Sequence, residues 1–280
     1  MSPELEKRIA SLAEDRQSGA SELLAAAIGI LRDALHAADE VGEVGRALCR
    51  AQPSMAPMWN AAMAADAAAD DPPRFERFAQ RVARAPQAIA RFAAETLLVG
   101  TAPGAVLRLV TISYSGTVRH ALEALGRARP LHVACAEGRP ALEGRRLAAR
   151  LAGSGAMVEC FSDAAIAHPL ERADAVLVGA DAVTPEWFVN KSGTLMLAAA
   201  AAGRGIPVYV LAGREKFLPP GLAARLEGRE GPSVEVWADP PRGVTVRNPY
   251  FEKTPLELVS AVISDVGALS MSDIVKVCLI

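Results

Sequence analysis

Apolar residues recur at intervals of three and four through the first hundred positions, the spacing that lays them along one face of a helix. Leu5, Ile9 and Leu12 share such a face, and Leu23, Ala27, Ile30, Leu31 and Leu35 form a second within Glu22 to Ala38. Ser18 and Gly19 separate the two. After a turn around Gln52 and Pro53 the same period runs from Met55 to Ala69 and from Arg74 to Val99, with Asp70-Asp71-Pro72-Pro73 as a stop and restart signal. A unit of four or five helices is expected over residues 1–102.

From Gly104 the pattern changes to short apolar runs, each followed by a polar turn and then an amphipathic stretch. The runs are Ala105 to Ile112, Leu131 to Ala136, Met157 to Phe161, Ala175 to Val178 and Pro207 to Leu211, with a sixth around Val234 to Trp237. Helices are expected at Thr117 to Arg127, Ala141 to Leu151, Thr194 to Ala202 and Pro255 to Val266. Strands alternating with helices pair in parallel through right-handed crossovers, so residues 103–280 predict an open, doubly wound α/β sheet that binds ligands at the carboxyl ends of its strands.

Composition narrows the possible functions. Of 280 residues 51% are hydrophobic and 22% charged, and 30 basic side chains nearly cancel 32 acidic ones. That excludes an intrinsically disordered chain and argues against a dedicated nucleic-acid binder, which needs a basic surface, while leaving a local patch open. Cys49, Cys135, Cys160 and Cys278 lie far apart with no CxxC pair, so no structural zinc is expected. The charged, helical N-terminus has no apolar signal core, and a reduced cytoplasmic protein is expected. Apolar stretches such as Leu195 to Ala202 fall well short of the roughly 18 residues a membrane helix needs.

The polar residues that follow each run are the candidates for chemistry. They are Ser113 and Ser115, then Glu137 and Arg139, then Asp163, then Asp181, and beyond them Asn190-Lys191-Ser192-Gly193-Thr194, expected to open the helix that leads to the fifth run. Each could equally be a helix cap, since Ser, Asp and Asn favour that place. Ser113-Tyr114-Ser115-Gly116-Thr117 joins a strand to a helix with small residues, which suits a phosphate at the helix start. The Ser192-Gly193-Thr194 start repeats the arrangement beside Lys191, one of only 5 lysines. Neither GxxxxGK[ST] nor GxGxxG occurs. A serine hydrolase would need a G-x-S-x-G elbow, which is absent, and His120 as base for Ser113 or Ser115 has the simpler reading of a surface or packing residue. His36, His132 and His168 show no paired ligand spacing, so no metal is expected.

Together these turns resemble one family: the methylthioribose-1-phosphate isomerases, the ribose-1,5-bisphosphate isomerases and the regulatory subunits of eukaryotic translation initiation factor 2B. The matching pieces are Asp15 to Leu23, Thr111 to Ser115, Glu137-Gly138-Arg139-Pro140 with Gly144, Asp163, Gly179-Ala180-Asp181, Asn190 to Thr194, Lys216-Phe217, Asn248-Pro249 and Phe251 to Pro255, in the family's order. The resemblance implies a helical N-terminal domain on a Rossmann-like α/β domain, a homodimer or higher assembly, no cofactor, and an interdomain pocket for a phosphorylated sugar or nucleotide metabolite. It implies catalytic roles at Asp181 and residue 113, and binding roles at Arg16, Gly19, Ser115, Gly116, Glu137, Arg139, Asn190, Lys191, Gly193 and Thr194.

The chain departs from the isomerase pattern where the chemistry is most sensitive. Residue 113 is Ser where the isomerases carry Cys, Gln17-Ser18 replaces an Arg-Gly-Ala pattern, and Thr184 to Trp187 replaces an Asn-Gly turn. Arg16 stands one residue out of register. Moving hydrogen from C2 to C1 of an aldose phosphate requires an acid and a base, and a serine hydroxyl cannot become a base without a partner. An isomerase-like binder of ribose-type phosphates is therefore one expectation, and a non-catalytic regulatory or assembly protein the other; a hydrolase using Ser113 ranks below both. If turnover occurs, Glu137 and His120 are the expected substitute bases.

Overall fold

The computed structural model describes residues 1–15, 18–37, 40–226, 228 and 230–278. Five helices open the chain: α1 (Pro3–Glu14), α2 (Ala20–Ala37), α3 (Val41–Ala51), α4 (Ala56–Asp66) and α5 (Pro72–Leu97). Ser2 caps α1 by accepting the Leu5 amide at 3.4 Å, and Pro3 supplies a preset φ in its first turn. The periodic apolar positions do what their spacing predicts: Leu5, Ile9, Leu12, Leu24, Leu31, Leu48, Met58 and Phe75 meet in one buried cluster. The later part of α5 faces a different core. Ile89, Ala93 and Leu97 pack with Leu122 and Leu125 against the sheet that follows, so this helix belongs to both halves.

The sheet half contains β1 (Leu107–Thr111), α6 (Gly116–Ala128), β2 (Leu131–Ala136), α7 (Glu143–Ala152), β3 (Met157–Phe161), β4 (Ala175–Gly179), β5 (Ala182–Val183), β6 (Trp187–Lys191), α8 (Thr194–Ala202), β7 (Val208–Leu211), α9 (Pro220–Ala223), β8 (Phe251–Pro255), β9 (Ala261–Ser264), β10 (Gly267–Leu269) and α10 (Met271–Cys278). The main sheet has the order β10-β9-β7-β4-β1-β2-β3, parallel except for the β9–β10 hairpin at one edge. Strand order reverses between β1 and β4, where such folds open a crevice. The Val and Leu residues of β1, β4 and β7 are buried on both faces. A second, antiparallel sheet β5-β6-β8 stands beside the first.

Three expectations are corrected. Val234 to Trp237 is not a strand: Ser233–Glu235 forms a single 3-10 turn, and Val234, Val236 and Trp237 are 59%, 56% and 48% exposed, with no strand among the described residues paired to them. Pro255 to Val266 is not a helix. Its first residue ends β8, Leu256–Leu258 makes a 3-10 turn, and β9 follows, because pairing with β7 buries Val262 and Ile263 completely; sheet pairing here outweighs helical spacing. Asn190-Lys191 does not open a helix but ends β6.

Candidate functional site

β1 delivers the chain to Ser113, which takes a left-handed backbone at φ 67°, a conformation that few non-glycine residues adopt. Two residues on, Ser115 caps α6 and its hydroxyl accepts the Val118 amide at 3.3 Å. The amides of Gly116 and Thr117 have no carbonyl partner within the helix, as at any helix start. Ser113, Tyr114, Ser115 and Gly116 form one wall of a cavity of about 120 Å³ between the helical unit and the carboxyl edge of the sheet. Gly19, Ser21, Gln52 and Met55 close it from the helical side.

Asp181 enters this cavity just after β4, fixed by its own backbone. Its amide donates to the Val189 carbonyl at 2.7 Å, and its carbonyl accepts the Ala56 amide at 3.0 Å, which ties the loop to the start of α4. Burial pushes the Asp181 carboxyl up from its ordinary value, against the pull of Lys216 and Lys191. The helical unit positions Lys216 as well: the Asn60 amide donates to the carbonyls of Glu215 and Phe217 at 2.7 and 2.9 Å and so holds the 3-10 turn Arg214–Lys216, on which Lys216 is buried.

Lys191, the last residue of β6, is buried with its ammonium 4.7 Å from the centre of the Tyr250 ring. It pairs at 2.5 Å with Oε1 of Glu143, and the Ser113 hydroxyl donates to the same oxygen at 3.3 Å. Glu143 is 8% exposed, and its second oxygen, Oε2, is buried with no hydrogen-bond partner among the described residues. Its position follows from its neighbour. A Cβ at Gly144 would lie 1.8 Å from the Ala136 carbonyl oxygen, so only glycine lets α7 start hard against the end of β2 and turn residue 143 toward the cavity.

Gly19, Ser113, Ser115, Gly116, Asp181, Asn190 and Lys191 thus line one cavity. Four other candidates do not line it. Glu137 pairs with Arg145 at 2.5 Å and with Arg139 at 3.5 Å, and the Arg145 hydrogen bond, with both arginine charges, holds its carboxyl below the usual range. Arg139 is exposed, and its amide and that of Gly138 donate to Asp163 at 2.7 and 2.8 Å, so Asp163 serves to shape this turn. The helix start at Gly193 is already occupied: the amides of Gly193 and Leu195 donate to Oε1 of Glu252 at 2.7 and 2.8 Å. Thr194 is fully buried, accepting from Asn190 at 3.0 Å and donating to the Lys191 carbonyl at 2.6 Å. Arg16 lies outside the described residues.

His120 does not line the cavity either; its Nδ1 sits 2.8 Å from the Gly116 carbonyl on an exposed stretch of α6. Among the described residues no three His, Cys, Asp or Glu side chains gather as a metal site, and no helix is long and apolar enough to cross a membrane. Sequence reasoning passed over Glu143, Arg146 and Tyr250, and gave Lys216 no role although it stands in one of the matching motifs; all four line the cavity. Lys216 carried a signal in the scarcity of lysine; Glu143 carried one only in its place beside Gly144.

The model for the Initiation factor 2 subunit family matches residues 13–271. The ribose 1,5-bisphosphate isomerase of Methanocaldococcus jannaschii is 34% identical over 145 residues, 50% of this chain and 47% of that protein. A Pyrococcus furiosus protein named "Putative translation initiation factor eIF-2B subunit 2-like" is 31% identical over 232 residues, 81% of this chain and 80% of its own. The chain spans about half the length of the first curated isomerases it matches. Among solved structures, translation initiation factor eIF-2B of Pyrococcus horikoshii OT3 superposes with a TM-score of 0.78 at 27% identity, over 96% of this chain and 98% of that one. A profile match over more than nine-tenths of the sequence and a shared fold over nearly all of it lead to one conclusion: the chain belongs to the initiation factor 2 subunit family.

Proposed function

We propose that the protein binds a phosphorylated ribose-type metabolite in the cytoplasm, in the cavity between its helical unit and its sheet. The observation that carries this reading is the convergence on that cavity of the open α6 start at Gly116 with Lys216, Arg146 and Lys191. A helix N-terminus with the buried Lys191 and Lys216 and the exposed Arg146 favours a phosphate, and Asp181 and Glu143 offer acceptors for sugar hydroxyls. The phosphate is assigned to α6 and not to α8, whose amides serve Glu252. On this reading the site is isomerase-like, with Asp181 as the acid and a hydroxyl at residue 113.

The test is the melting temperature in the presence of ribose phosphates, nucleotides and inorganic phosphate. A ligand at a hundred times its dissociation constant adds about 2.7 kcal/mol of apparent stability. A melting point that none of them raises removes the proposal.

A second reading, a non-catalytic regulatory or assembly protein, draws on one specific observation: the translation-factor-like relative matches over four-fifths of both chains, whereas the isomerases match over half. Binding without turnover of any pentose phosphate favours it.

A further inference from the structure

We propose that Glu143 is the base that moves hydrogen between C2 and C1 of the bound sugar, in place of a thiol at residue 113. The inference rests on reading the cavity as a pentose phosphate site. A serine hydroxyl is a poor base, and the Ser113 hydroxyl is a donor here, its proton directed at Oε1 of Glu143. The two bases expected from the sequence, Glu137 and His120, do not line the cavity. Glu143 does, and its carboxylate is held by two contacts on one oxygen, Lys191 at 2.5 Å and Ser113 at 3.3 Å, which leave Oε2 buried and without a partner among the described residues. A buried carboxylate that lines the cavity beside the Ser113 hydroxyl is placed to accept a proton from a bound sugar.

The same cavity holds the complementary group. Burial favours the protonated form of Asp181, while Glu143 is paired with an ammonium, so the two carboxyl groups sit in contrasting environments. Such pairs divide acid and base roles. For an aldose 1-phosphate the steps balance without a co-reactant. Asp181 gives its proton to the ring oxygen as the C1–O bond breaks toward oxygen. Glu143 takes the C2 hydrogen as a proton, and the C2–H electron pair becomes the C1=C2 bond of an enol. The proton of the C2 hydroxyl then passes to Asp181 as C2=O forms, and the double-bond pair takes the proton from Glu143 at C1. Both carboxyl groups end as they began.

The experiment follows proton exchange by NMR in D2O, with ribose 1,5-bisphosphate and methylthioribose 1-phosphate as probes and the melting shift as an independent measure of binding. Ketose is expected to form, with deuterium at C1 in the fraction of turnovers in which the Glu143 proton exchanges with solvent before it is returned. Glu143→Gln is expected to slow the appearance of ketose by about 100-fold or more, in line with the loss of a general base, while keeping the ligand-induced melting shift. His120→Ala is expected to exchange at the unaltered rate. Glu143→Asp keeps a charge for Lys191 but retracts it by one methylene, and an exchange rate at least about tenfold lower is expected; it carries the test if Glu143→Gln does not fold. Exchange in Glu143→Gln within tenfold of the original rate overturns the assignment. A melting shift with neither exchange nor ketose formed in the unaltered protein overturns it too and leaves the binding proposal standing. No melting shift with any probe overturns both.

Discussion

The Lys191 ammonium lies 2.5 Å from the Glu143 carboxylate, and their side chains are 5% and 10% exposed. Removing either partner of such a pair strands a charge where water cannot reach it. Lys191→Met and Glu143→Gln are each expected to cost about 3 kcal/mol or more. Their costs are not expected to add: in a double-mutant cycle by urea denaturation the coupling should exceed about 1 kcal/mol. Simple additivity would mean that the two side chains do not pair in solution.

Gly144 is the backbone condition for that pair. Gly144→Ala places a methyl group 1.8 Å from the Ala136 carbonyl oxygen, a fixed strand atom and not a flexible side chain. A loss of about 3 kcal/mol is expected from overpacking of this kind, together with weaker ligand binding because residue 143 is displaced. A urea midpoint equal to that of the original protein would show that α7 can move away from β2 without penalty.

Glu252 caps α8 with two amide hydrogen bonds to one oxygen. Glu252→Ala is expected to cost about 1–2 kcal/mol, the range for losing a helix cap with a favourable charge. Phosphate affinity should not fall. If this variant abolishes phosphate binding, the anion belongs near α8 and the assignment to α6 is wrong.

Burial raises the carboxyl pKa values of Asp181 and Glu215. The folded chain therefore keeps protons that the unfolded chain releases above about pH 4. Their contribution to stability is full below that value and is lost as pH rises through the folded-state values. Asp181→Asn cannot titrate, so its stability relative to the original protein should rise across that window. Parallel pH profiles of the urea midpoints for the two proteins would contradict the raised pKa.

Val266, at the β9–β10 turn, and Met271 and Val275, one turn apart on α10, are 47%, 47% and 41% exposed. We propose that a second copy covers this edge of the sheet half, giving a homodimer. Light scattering should find about twice the chain mass of 29.3 kDa, and a charged residue at Val275 should shift the mass toward the monomer. A single-chain mass for the unaltered protein at micromolar concentration would remove the proposal.

The helices of the first hundred residues and five parallel strands were legible in the chain because local periodicity alone decides which face is buried: Leu5, Ile9 and Leu12 sit inside, as do the runs of β1, β2, β4 and β7. Ser113, Asp181 and Lys191 were legible for a related reason, since they directly follow apolar runs or belong to a motif. The misread segments depended on distant partners. Val262 and Ile263 became a strand because β7 was there to pair with, and Val234 to Trp237 did not because no strand among the described residues pairs with it. The roles within the site depended on tertiary contacts in the same way. Glu252 lies 59 residues from the Gly193 amide it occupies, and Glu143 lies 30 residues from Ser113. Which carboxylate is spent on a helix end and which faces the cavity is set by through-space distance and burial, and neither quantity is written in the spacing of residues along the chain.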